Sequence, residues 1–96
     1  MVFSIDCHDT FLKALGYLKP SFWDKCRGEW KMEPAPVGSI AVIHDHGNIL
    51  GFKEVTGHSI LANGKVVYDW KDVDPPDMEL EIPRGKGMRN PVKYIA

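Results

Sequence analysis

An Asn63-Gly64 dipeptide set between two apolar, β-branched runs is the feature that most limits how this chain can fold. Asn-Gly accepts positive φ at both positions, as a two-residue type I′ turn demands. Gly57 to Ala62 and Lys65 to Trp70 are therefore expected to pair as an antiparallel hairpin. A two-residue turn sets the register. Ala62 meets Lys65, Leu61 meets Val66, Ile60 meets Val67, Ser59 meets Tyr68 and His58 meets Asp69. Opposed residues share a sheet face with Cβ atoms about 4.5–5.5 Å apart, so a carboxylate is expected beside an imidazole.

Upstream of the hairpin, Ser39 to Ile43 reads as an interior strand, His44 to Asn48 as a turn, and Ile49 to Val55 as a returning strand. The first third reads as helical. Cys7, Phe11, Ala14, Leu15 and Leu18 recur at spacings of three and four, with Ser4 or Asp6 as N-cap and Asp9 in the first turn. Pro20 is expected to stop that helix, Ser21 to cap a short second one over Phe22 to Arg27, and Pro34 and Pro36 to keep the connector extended. The resulting expectation is an α+β fold, N-terminal helices packed on a small antiparallel β-sheet. With 96 residues it forms a single domain, with residues 84–96 a basic tail or edge strand.

Charge and composition remove several functions. A formal net charge of −1 offers no footprint for nucleic acid, and no apolar run approaches the ~20 residues of a membrane span. The amino terminus carries neither a basic leader nor an apolar signal stretch, which reads as cytoplasmic on synthesis; action at a cell wall would need another route of delivery. Two cysteines are too few for a disulfide scaffold.

Cys7 then becomes the candidate nucleophile. A thiolate attacks a carbonyl, and a helix start with a neighbouring imidazolium would lower the thiol pKa and leave N–H groups free for an oxyanion. Cys26, between Lys25 and Arg27, has no matching histidine and reads as core.

These residues also carry a resemblance. Asp6-Cys7-His8-Asp9 resembles the Asp-Cys-Ser-Gly opening of NlpC-type peptidases, and Pro36 to Val42 resembles the strand-entry motif of CHAP amidases. Gly57-His58-Ser59-Ile60 followed by Asn63-Gly64 resembles the strand and hairpin that present the catalytic histidine in both groups. The resemblance implies a minimal papain-like fold with Cys7 as nucleophile and His58 as base. Asp69 would orient His58, and the substrate would be a peptide or peptidoglycan-like amide. No metal or organic cofactor is implied.

Two other readings stand beside this one. The same fold can serve as a catalytically inactive binding or inhibitory module. Alternatively His44, His46 and His58 form a metal site in a β protein, since alternate strand residues point the same way. Gly38 and His44-Asp45-His46 resemble the start of a cupin metal motif, but Leu50 and Gly51 stand where its glutamate belongs. Trp70, next to Asp69, would wall a substrate cleft.

Overall fold

Val2 to Asp6 form a strand, β1, where the sequence pattern suggests a helix from Ser4. The computed structural model describes residues 1–7, 16, 19–82 and 92–95; most of the expected helix, with Asp9, lies outside them. Alternation explains β1. Phe3, Ile5 and Cys7 join the hydrophobic core, while Val2 and Ser4 are buried on the opposite face. Ser4 and Asp6, expected as N-caps, stand within the strand.

Pro20 starts a helix instead of ending one. Helix α1 spans Pro20–Cys26 with proline in its first turn, where a missing N–H costs nothing. Ser21 is inside it, and the N-cap Lys19 makes no side-chain cap bond. Phe22 and Cys26, four apart, are its buried residues. Three strands follow: β2 (Ile40–Asp45), β3 (Asn48–Ile60) and β4 (Val66–Asp72); a last short strand is β5 (Val92–Tyr94). One mixed sheet results, in the order β4-β3-β2-β1-β5. β1 runs parallel to β2 and antiparallel to β5, and the other neighbours are antiparallel. The expectation of N-terminal helices packed on a small antiparallel sheet, in a minimal papain-like fold, is thus overturned. A strand opens the chain, and its pairing with β2 makes the sheet mixed.

One face of the sheet carries Phe3, Ile5, Ala41, Ile43, Val55, Val66 and Tyr68, closed over by Phe22 and Cys26 of α1 and by Trp30 and Ala35 of the connector. Tyr68 is the largest fully buried side chain. Its ring lies 5.6 Å from Phe3 and stacks on Trp70 at 6.2 Å, and its hydroxyl accepts the Ala35 N–H at 2.9 Å. The connector also seals the far edge of the sheet. Trp30 exchanges two backbone bonds with Val66, and the Tyr68 N–H donates to the Arg27 carbonyl. Gly28 makes that approach possible: a Cβ there would sit 2.7 Å from Val67 Cγ2 and 2.9 Å from the Val66 carbonyl oxygen. Gly28→Ala is expected to destabilise the domain by about 1–3 kcal/mol, read as a lower urea midpoint with unchanged slope.

The two hairpin turns exchange their expected roles. His46-Gly47 joins β2 to β3 as a two-residue loop with positive φ at both residues (47° and 86°). That is the type I′ requirement. At Asn63-Gly64 only the glycine has positive φ, and Leu61 bonds to Lys65 across a three-residue loop. Asn63 accepts the Lys65 N–H with its own side chain and donates to Glu29. The longer loop moves the register by one.

Candidate functional site

Tyr68, not Asp69, stands opposite His58; Asp69 pairs with Gly57. The three-residue loop accounts for this near the turn. A bulge at Thr56 then restores Val55 to the core face opposite Trp70. His58 therefore shares a face with Tyr68, while Asp69 projects from the other. The Asp69 carboxylate lies over Gly57, 3.5 Å from where a Cβ would be, and 3.9 Å from Arg27 Nη1. The expected His58–Asp69 neighbours are not brought together.

Cys7 lies at the other end of the sheet. Asp6 pairs with His44, and His44 with Ile49; His58 is nine positions further along β3. With two bulged residues in that span and about 3.3 Å of rise per paired residue, Cys7 and His58 are about 25 Å apart along the strands alone. The environment of Cys7 is that of a core residue. It is fully buried, its N–H donates to the His44 carbonyl at 2.8 Å, and its thiol donates to the same oxygen at 3.0 Å. Burial, with the charges of Asp45 and Asp6, pushes the thiol up to about 12. Its N–H is not one of the unpaired donors an oxyanion would need. Cys26 is equally buried and also pushed up to about 12, by burial and then by the neighbouring Cys7.

His44 is the histidine that pattern reading placed in a turn and the fold places in the interior. It lies fully buried one residue before the end of β2, and its Nδ1 accepts the Gly47 N–H at 2.9 Å. The imidazole proton then belongs on Nε2, which is buried without a hydrogen-bond partner among the described residues. Burial lowers its pKa, against the opposing charges of Asp6 and Asp45, so the ring stays neutral. The Asp6 carboxylate accepts the His46 N–H at 3.1 Å and ties β1 to the turn. His44 and His46 are held by this turn, and among the described residues no group of three or more His, Cys, Asp or Glu is placed to hold a metal. Trp70, expected to wall a cleft, packs partly buried against the core.

An accessible feature among the described residues is the outer arm of β3. β2 pairs with β3 as far as Glu54, and a last pair of bonds ties Val55 to Gly38 and Ser39. From Thr56 onward β3 has β4 on one side and no strand on the other among the described residues. Tyr68 and Val66 turn their backbone N–H groups away from β3, toward Arg27 and Trp30. Their partners His58 and Ile60 must likewise turn theirs away from β4, because residues of a non-hydrogen-bonded pair both face outward. His58, Ser59 and Ile60 are exposed, Ile60 to 60%. In the sequence this segment reads as half of a hairpin, which it is, and the open edge is an additional feature. Its signal was the run Val55 to Gly64, which contains no charged residue and no proline.

No family model, curated protein or solved structure matches the chain. The likeness to NlpC-type peptidases and CHAP amidases therefore rests on the short motifs around Cys7, Gly38 and His58 alone. No described helix is long and apolar enough to cross a membrane.

Proposed function

We propose that this chain is a binding module that works through the open outer edge of β3 and does no chemistry at Cys7. One observation carries the reading: His58 and Ile60 hold their backbone N–H and C=O groups outward on an exposed, uncharged arm. An edge of that kind accepts an extended segment as an added strand, with main-chain bonds giving affinity and alternate side chains giving selectivity. Natural edges not used for pairing are blunted by charge, proline or cover. Between Val55 and Gly64 this arm has no charge and no proline, and among the described residues no strand covers it; its one irregularity is the bulge at Thr56, at the start of the arm. The burial of Cys7, its bond to the His44 carbonyl and its distance from His58 support the same reading.

The rival is a cysteine hydrolase acting on a peptide or peptidoglycan-like amide with Cys7, His58 and Asp69. It needs a reactive thiolate that depends on His58. Iodoacetamide labelling of Cys7 at pH 6 and 7, in wild type and His58→Ala, separates the two readings. Slow labelling at equal rates is the expected result, about a thousandfold below a free thiol at equal pH from the pKa difference alone. Fast labelling that collapses in His58→Ala would overturn the proposal in favour of the hydrolase.

A further inference from the structure

We infer that the strand added to the outer edge of β3 is the same edge of a second copy of this chain, related by a two-fold axis through Ser59. The inference rests on the binding reading above and names its partner. The geometry of the edge is self-complementary. His58 and Ile60 are two residues apart and both face outward. In an antiparallel pairing centred on Ser59, His58 of each copy lies opposite Ile60 of the other, so four backbone bonds form with none out of register. Ser59 then faces its own counterpart as a non-hydrogen-bonded pair, with Cα atoms about 4.5 Å apart.

Charge favours a copy over an unrelated segment. A two-fold axis sets like against like, so a self-pairing edge tolerates no charge beside the axis. The run from Val55 to Gly64 has none, although a quarter of the chain is charged. Along the arm's own strand the nearest charges, Glu54 before it and Lys65 at the turn, are of opposite sign; Asp69 stands one strand back from the edge, opposite Gly57 and 3.9 Å from Arg27, and the net charge of −1 barely opposes association. A foreign acidic or basic peptide would find no counter-charge on this edge. Pairing also covers Ile60, one of the most exposed large apolar side chains among the described residues, by laying it against His58 of the other copy. The contact is small by the standard of stable dimers, so association should depend on concentration across the micromolar to millimolar range.

Ser59→Cys tests the register directly. Both native thiols are buried, so the new one is the accessible site, and Cα atoms about 4.5 Å apart lie within disulfide range. Mild oxidation with copper phenanthroline at 100 μM protein should convert most of the variant to a covalent dimer. Asn63→Cys, at the turn and away from the axis, should convert at least tenfold more slowly. Wild type should shift from monomer to dimer mass in sedimentation as concentration rises, and Ile60→Lys should remain monomeric throughout, with the thermal midpoint that wild type has when dilute. Amide exchange distinguishes the failures. A monomer at 1 mM with fast-exchanging His58 and Ile60 amides overturns self-pairing and leaves the edge open for another partner. A monomer in which both amides are protected shows the edge already filled, and overturns the binding reading as well. Equal cross-linking of Ser59→Cys and Asn63→Cys would overturn the two-fold register.

Discussion

Raising the pH above 9 should cost this domain stability steeply, because Cys7 and Cys26 are held as neutral thiols in its core. Burial raises each from 9.0 to about 12. Between those values the unfolded chain has released protons that the folded chain keeps, so the folded state binds more protons and stability falls as pH rises. The slope is about 1.4 kcal/mol per pH unit for each thiol, or roughly 4 kcal/mol over the window for either taken singly. Tyr68, also raised by burial, adds a loss of the same sign above 10. His44 works at the other limb. Its folded pKa lies below the ordinary 6.5, so its contribution is complete above 6.5 and is lost as pH falls below it. Urea midpoints across pH 5 to 11 should trace a plateau between about 7 and 9. Replacing both cysteines by alanine should flatten the alkaline limb, and His44→Gln the acid limb. An alkaline limb unchanged in the double variant would show that the thiols are not in the interior described here.

Tyr68→Ala should be the most damaging single substitution. It removes the largest fully buried ring, which packs on Phe3 and Trp70, and leaves the Ala35 N–H without its acceptor. Large-to-small replacement of a buried aromatic costs about 3–5 kcal/mol, and the stranded N–H adds about 1–3. Against a total of about 5–15 kcal/mol for such a domain, much of the population would unfold at 25 °C. Tyr68→Phe keeps the ring and loses only the hydroxyl that anchors the connector, with an expected loss of about 1–2 kcal/mol. Chemical denaturation of the pair separates packing from anchoring. If the two variants lose stability equally, the hydroxyl and not the ring is what matters.

Much of the sheet could be read directly. Ser39 to Ile43, Ile49 to Val55 and Lys65 to Trp70 all lie largely within strands, because β-branched runs bounded by turn residues admit few alternatives. β1 does not show itself in the sequence because its five residues are too few to display a period, and Cys7 fits a three-four spacing with residues beyond it. The register differs from the expected one because Asn63-Gly64 belongs to a three-residue loop, not a two-residue turn. A corrective signal lay further down the ladder. Lys53 bonds Asp72, and Glu54 lies 3.4 Å from Lys71, two opposed charge pairs incompatible with the register of a two-residue turn. Accommodating them and the turn in one ladder requires a bulge, which Gly57 marks.

Local chemistry was enough to specify that β2, β3 and β4 extend, that a short helix covers Phe22 to Cys26, and that β3 and β4 form a hairpin. Each of these depends on neighbours within a few residues. Which side chains meet was decided by contacts far apart in sequence. The parallel pairing of β1 with β2 buries Cys7 against His44, 37 residues away, and the one-residue shift along β3 parts His58 from Asp69. A strand alternates its faces at every residue, so a single step of register reverses which groups are neighbours, and only the packed sheet fixes that step.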